Sequence, residues 1–151
     1  MKFYSYIKLL RPHQWLKNLL VFPLFFLSTR SLEVFFNPIP WLIFICFSII
    51  ASGVYCANDV IDVNNDKKHP VKKLRPIASG DVSIHSGILL SIVLVSLGLC
   101  IAWYINLDLF FLLAGYLILN IFYNLIFKKF VFIDVLTLTF FYIIRVISPA
   151  S

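Results

Sequence analysis

The chain has 151 residues, of which 61% are hydrophobic and 13% charged, and its mean hydropathy is +0.94. A soluble domain carries about 25% charged residues, so this sequence cannot coat a water-facing surface, and sixteen Phe with seven Tyr demand an apolar solvent. The net charge of +6 is not that of a nucleic-acid binder, because the basic residues fall in short gaps between apolar runs, as membrane orientation signals do.

Five apolar segments follow in chain order, at His13–Ser28, Ile39–Ala57, Ile84–Ile105, Leu109–Phe127 and Phe130–Ile147. Most approach the ~20 residues that cross ~30 Å of hydrocarbon at 1.5 Å per residue. The first is the weakest, with an uninterrupted apolar stretch only from Leu19 to Leu27 and a kink point at Pro23. The expected fold is all-α: a polytopic transmembrane helical bundle of about five spans in a single domain, residues 1–151. Eleven of the thirteen Lys and Arg fall in the N-terminal segment and in alternate loops. This bias predicts a cytoplasmic N-terminus. Cys46, Cys56 and Cys100 show no paired spacing, and His13, His69 and His85 are scattered, so neither a disulfide framework nor a zinc site is expected. No cleavable signal peptide is evident.

The one substantial loop runs from Asn58 to Ser83, and the chemistry gathers there. If the second helix continues through Asp66, then at about 100° per residue Asp59, Asp62 and Asp66 share an arc of about 60°, with Asn58 at its edge. Carboxylates so placed repel one another and oppose the helix dipole. A Mg²⁺ ion, which takes one or two carboxylates and completes its shell with water and substrate phosphates, relieves both penalties. The spacing therefore reads as a Mg²⁺–diphosphate site, the alternative being a solvated acidic helix end. Of the basic residues that follow, Lys67, Lys68, Lys72 and Lys73 read equally well as anchors to anionic lipid. Arg75 precedes Pro76, which favours an extended backbone, and a guanidinium can grip phosphate with two parallel hydrogen bonds. Gly80 suits a turn, and Ser83 suits the cap of the third span.

Inside the spans, Lys17 and Asn18 read as inward-facing functional groups, or in the case of Lys17 as a side chain snorkelling to the interface. Tyr116, Asn120, Tyr123 and Asn124 form one stripe of the fourth span, Tyr116 and Asn120 reading as helix-packing groups. Asp134, Thr137 and Arg145 share a face of the fifth; Asp134 and Arg145 lie about 16 Å apart along the helix and each wants another partner. Ala51, Ser52, Gly53 and Ala57 would let a neighbouring helix approach the second span closely.

Asn58-Asp59-x-x-Asp62-x-x-x-Asp66, closing a second apolar helix and followed by Arg75-Pro76-Ile77-Ala78-Ser79-Gly80, resembles the first aspartate-rich motif of the UbiA superfamily of membrane prenyltransferases. Leu10-Arg11-Pro12-His13-Gln14-Trp15-Leu16-Lys17-Asn18, His69-Pro70-Val71-Lys72-Lys73, Tyr123-Asn124-x-x-x-Lys128 and Asp134-Val135 are similar to the decaprenyl-phosphate phosphoribosyltransferase branch. The resemblance implies part of a bundle of about nine helices around a cavity. In that fold a second aspartate-rich motif lies between later helices, so the expectation is the N-terminal portion of such an enzyme, with a second polypeptide as one source of the remaining helices.

The resemblance further implies transfer of a group from its diphosphate, with Asp59, Asp62 and Asp66 as Mg²⁺ ligands. Asn58, Lys17, Arg75, Tyr123, Lys128 and Asp134 would contact substrate, and Lys17 and Arg75 would act with the three aspartates in catalysis. The first expectation is transfer of 5-phosphoribose from phosphoribosyl diphosphate to a polyprenyl phosphate. An allylic isoprenoid moved to an aromatic acceptor is the second, and a non-catalytic half-bundle acting as a subunit is the third. The expected partners are a lipid-linked substrate and membrane lipid, not nucleic acid, and the expected location is the plasma (inner) membrane with a cytoplasmic active face.

Overall fold

The computed structural model of the chain describes residues 2–23, 26 and 36–125. Five α-helices are named in chain order: α1 (Lys2–Leu10), α2 (Pro38–Ile61), α3 (Val63–Lys68), α4 (Ile84–Ile105) and α5 (Leu107–Leu125). Two 3₁₀ stretches, Pro12–Leu20 and Lys72–Leu74, lie between them, and the described residues contain no strand. The expected fifth span, Phe130–Ile147, lies outside the described residues.

Local chemistry sets each boundary. Asn37 caps α2 by accepting from the Ile39 amide at 2.9 Å, and the prolines at 38 and 40 fall in the first turn, where a missing N–H costs nothing. Ser83 caps α4 by accepting from the Ser86 amide at 3.1 Å. α4 therefore occupies Ile84–Ile105, the span read from the apolar pattern. Asn106 alone separates α4 from α5; its extended backbone (φ −164°, ψ 141°) breaks the helix, and its side chain accepts from the Asp108 amide at 2.9 Å.

The start of the first apolar segment differs from a straight membrane helix. Arg11 adopts a left-handed conformation (φ 53°, ψ 57°) that ends α1, and Pro12 opens a 3₁₀ helix instead of an α-helix. Polar bonds from this segment to α2, described below, hold that tighter winding in place. Among the described residues, α2 and α4 are each long and apolar enough to cross a membrane.

α2 forms the axis, packed mainly on α4, with the N-terminal segment and α5 also against it. One buried cluster joins Val21, Ile43, Phe47, Ile50, Ala102, Leu109, Leu113 and Tyr116, and Tyr116 meets the Phe47 ring edge-on at 5.7 Å. A second cluster, Leu9, Cys56, Val63, Ile77 and Val82, underlies the loop end of the bundle. Lipid removes the hydrophobic drive between helices, so close approach and interhelical hydrogen bonds matter more. Gly53 supplies both: a Cβ there would lie 2.8 Å from Val95 Cγ2, and its carbonyl accepts from Ser91 Oγ at 2.8 Å. On its other side α4 exposes Ile84, Ile88, Leu89, Ile92, Val93, Leu97, Trp103 and Tyr104. A continuous apolar face of this kind is suited to acyl chains, not to water.

Candidate active site

The loop end of α2 carries the charged residues. α2 runs past the expected Ala57 to Ile61, and Asp62, in the bridge region (φ −88°, ψ 3°), interrupts the helix for one residue before α3 resumes at Val63. The Asp62 amide still donates to the Asn58 carbonyl, at 2.9 Å, and the Asp66 amide donates to the Asp62 carbonyl, at 2.8 Å. The chain thus turns without losing its helical direction of bonding. Asp59 and Asp66 become buried, whereas Asp62 is half-buried at the break. The expected single arc of three carboxylates is therefore split at its middle member.

Two arginines meet the buried pair. Arg11 Nη2 donates to Asp59 Oδ1 at 2.6 Å. Arg75 Nη1 lies 2.6 Å from Asp66 Oδ2 and 3.3 Å from Asp59 Oδ1, so a single nitrogen bridges both carboxylates. Arg75 reaches them because its backbone is extended before Pro76 (φ −69°, ψ 146°), as the dipeptide predicts. Gly80, at φ 85°, supplies the expected turn, and the Val82 amide closes the loop on the Pro76 carbonyl at 2.9 Å. Removing the cation that Asp66 shares with Asp59 typically costs about 3–5 kcal/mol, because the Asp66 carboxylate is then left buried and unpaired.

Arg11 is the residue that sequence reasoning missed. It has no site role in the sequence reading, yet it holds one end of the network through Asp59, with its guanidinium 5.0 Å above the Tyr55 ring. A left-handed conformation costs a non-glycine residue about 1–3 kcal/mol and persists where surrounding contacts hold it. The available signal was the dipeptide itself, since Arg11-Pro12 and Arg75-Pro76 repeat the same pair at the two ends of the site.

Further polar bonds seat the N-terminal segment on α2. Trp15 Nε1 donates to Ser52 Oγ at 2.9 Å, and that hydroxyl donates to the Leu10 carbonyl at 2.9 Å. Asn18 Nδ2 donates to Ser48 Oγ at 3.1 Å. Partners on α2 descend from 59 through 52 to 48 as the segment rises from 11 through 15 to 18, so the two run antiparallel. Asn18 is buried, and its Oδ1 has no hydrogen-bond partner among the described residues.

A cavity of about 170 Å³ opens beside the ion pairs, lined by Lys8, Arg11, His13, Asp59, Arg75 and Pro76. Asn58 faces elsewhere, into a mainly apolar cavity of about 220 Å³ between α2, α4 and α5 that also touches Ser91 and Asn120. Lys17 is exposed on the 3₁₀ helix and does not line the charged cavity. Tyr123 falls in the last turn of α5, while Lys128, Asp134, Thr137 and Arg145 lie outside the described residues. Asn120 bonds back to the Tyr116 carbonyl at 2.7 Å, in keeping with a packing role.

Whether these residues suit a divalent cation can be tested on the donor set. Among the described residues no three His, Cys, Asp or Glu side chains are placed to hold one ion. Two hard carboxylate oxygens nonetheless converge on one cationic nitrogen, that of Arg75. Two carboxylates are what Mg²⁺ commonly takes from protein when substrate phosphates and water supply the rest. Asp59 and Asp66 fit that role.

The chain is similar to known proteins along nearly its whole length. The chain is 34% identical over 149 residues to "Nodulation protein NoeC" of Azorhizobium caulinodans, covering 99% of this chain and 48% of that protein. It is 33% identical over 146 residues to the decaprenyl-phosphate phosphoribosyltransferase of Mycobacterium tuberculosis, covering 94% and 48%, and 32% identical to that of Mycolicibacterium smegmatis, covering 94% and 46%. The chain thus spans about half the length of these curated relatives. The profile of the UbiA prenyltransferase family matches residues 19–148, and the chain belongs to that family of helical membrane transferases.

Proposed function

We propose that this chain handles the diphosphate donor in a membrane transferase that moves 5-phosphoribose from phosphoribosyl diphosphate to a polyprenyl phosphate. The observation that carries the reading is the convergence of Asp59 and Asp66 on Arg75 beside a cavity rich in cations. Similarity to the two mycobacterial phosphoribosyltransferases supports the choice of donor. The distribution of Lys and Arg supports a cytoplasmic active face, in the plasma membrane.

In this reading Asp59 and Asp66 would hold Mg²⁺, with Asp62 between them in sequence as the motif's third carboxylate, and the ion when bound would neutralise diphosphate charge and favour its departure. The chain's own residues do the remaining work. Arg75 offers a planar fork to the phosphate oxygens, the cations lining the cavity beside it add positive charge, and Tyr123, Lys128 and Asp134 are the further substrate contacts of this reading. As the bond to diphosphate breaks, ribose C1 gains positive character and the acceptor phosphate oxygen attacks it. That oxygen is already anionic, so no general base is required.

The test is a transfer assay on membranes expressing the gene with its native flanking sequence, supplied with labelled phosphoribosyl diphosphate or a labelled allylic diphosphate, with Mg²⁺ or with EDTA. Phosphoribose should pass to lipid only in Mg²⁺, and Asp59→Asn, Asp62→Asn and Asp66→Asn should each abolish the transfer. Transfer from the allylic donor alone would replace this reading with aromatic or other prenylation. Transfer from neither, with the protein present in the membrane, would leave the non-catalytic subunit.

A further inference from the structure

We infer that the 170 Å³ cavity at Lys8, Arg11 and His13 is a binding site for a phosphomonoester dianion, adjoining the Asp59–Asp66 pair but built from different side chains. The first support is charge. Three cations, Lys8, Arg11 and Arg75, line the cavity together with His13; Asp59 lines it as well and Asp66 pairs with Arg75, so one cation is in excess before His13 is counted. A neutral or cationic ligand gains nothing from such a lining, whereas a compact dianion meets complementary potential on several sides.

The second support is the donor inventory. A guanidinium has five N–H donors in a rigid fork and an ammonium has three. Among the described contacts, Arg11 spends only Nη2 on a carboxylate, and Arg75 only Nη1. Lys8 spends one donor on the Leu74 carbonyl at 2.9 Å, a bond that anchors its ammonium next to Arg75 in the chain. Most of the donors of three cations thus remain for a ligand with several acceptor oxygens, and phosphate has three on a monoester.

The third support is preorganisation. Arg11 and Arg75 are only 22% and 26% exposed, each fixed by an ion pair, and Arg11 is also fixed against the Tyr55 ring. Arg11 occupies a left-handed backbone position that glycine would fill with less strain. What the site retains there is the guanidinium. The cavity admits a phosphate with its first ester atoms, not a whole nucleotide.

In the proposed reaction two phosphomonoesters are available: the 5-phosphate of the donor, which lies outside its diphosphate, and the phosphate headgroup of the polyprenyl acceptor. The assignment of sources rests on that reading, whereas the anion site itself does not. Isothermal titration of the full chain in neutral detergent, without Mg²⁺, distinguishes them with ribose 5-phosphate and geranyl phosphate as probes. One of the two should bind, and the one that does identifies the source. Lys8→Gln and Arg11→Lys should each weaken that binding about five- to tenfold, since each removes donors while preserving polarity and approximate length. Lys8 is exposed and tests the site even if Arg11→Lys fails to fold.

Failure of both probes, or binding that neither variant changes, would overturn the inference. So would binding of phosphatidylglycerol vesicles alone, lost in the same variants, because the cations would then be lipid anchors. Inorganic diphosphate with Mg²⁺ is titrated in parallel on the unaltered chain. If it binds and the monoesters do not, only the subsite falls; if the monoesters bind and it does not, the transferase reading falls and the subsite stands.

Discussion

Arg75 and Asp66 stand nine residues apart in sequence and meet at 2.6 Å, with the carboxylate 3% exposed and the guanidinium shared with Asp59. The pair ties the loop after α3 back onto α3, Arg75 reaches the end of α2 through Asp59, and the two members of the pair are not equivalent. Asp66→Asn leaves Arg75 a carboxylate at Asp59, and should lower stability by about 1 kcal/mol, the net worth of an ordinary hydrogen bond. Arg75→Ala leaves Asp66 buried without its cation and should cost about 3 kcal/mol, the low end for a broken buried pair because Arg75 is a quarter exposed. Thermal unfolding of both variants in detergent measures the difference, and equal losses would contradict the shared-cation arrangement.

The glycines of two neighbouring helices respond oppositely to the same change. At Gly53 a new Cβ would lie 2.8 Å from Val95 Cγ2 and 3.1 Å from the Ser91 carbonyl oxygen, so Gly53→Ala pushes α2 away from α4. A loss of about 1–3 kcal/mol is expected, the usual cost of overpacking. At Gly115, within α5, nothing among the described residues lies within 4 Å of the added carbon. Gly115→Ala should therefore stabilise the helix by up to about 1 kcal/mol. Unfolding midpoints of the two variants, measured side by side, should move in opposite directions.

Local signals made much of this arrangement legible. α4 was bounded by its apolar run and by Ser83, the extended backbone of Arg75 by Pro76, and the turn by Gly80, because each depends on neighbours a few residues away. Helical periodicity sets Asp59, Asp62 and Asp66 on one arc, of which the structure brings Asp59 and Asp66 together on Arg75. The break at Asp62 was not legible, since a one-residue kink has no compositional mark when Asp and Asn flank it on both sides. Arg11 had only the repeated Arg-Pro pair to mark it: its partner is 48 residues away, and nothing in a hydropathy profile separates an ion-paired arginine from an orientation signal. The 3₁₀ winding of Pro12–Leu20 likewise depends on bonds to Ser48 and Ser52, which only the tertiary structure supplies.

Gly80 tests the loop without touching any packed atom. Its φ of 85° is open to glycine and unfavourable to an L side chain, while a Cβ there would meet nothing within 4 Å among the described residues. Gly80→Ala should cost about 1–2 kcal/mol from backbone strain alone, and Gly80→Asn less, because Asn tolerates the left-handed region better. The variants should rank Gly, Asn, Ala in unfolding midpoint; an Ala variant as stable as the unaltered chain would mean that the turn relaxes to another conformation.

The last prediction concerns how the N-terminal segment is held, because Arg11 reaches Asp59 only if that segment is seated. Ser52 is the hinge of this seating: it accepts from Trp15 Nε1 and donates to the Leu10 carbonyl, one residue before Arg11. Trp15→Phe removes one bond and keeps an aromatic ring, whereas Ser52→Ala removes both. A double-mutant cycle should give a coupling of about 0.6–1 kcal/mol between Trp15 and Ser52, the range for hydrogen bonds between membrane helices. Ser52→Ala alone should cost more than Trp15→Phe alone, since it also strips the Leu10 carbonyl of a donor. If Ser52→Ala further weakens titration of the phosphomonoester probe while Trp15→Phe does not, the Leu10 bond is what sets the left-handed turn at Arg11. A coupling indistinguishable from zero would mean that packing of Val21 and Phe22, not this hydroxyl, seats the segment.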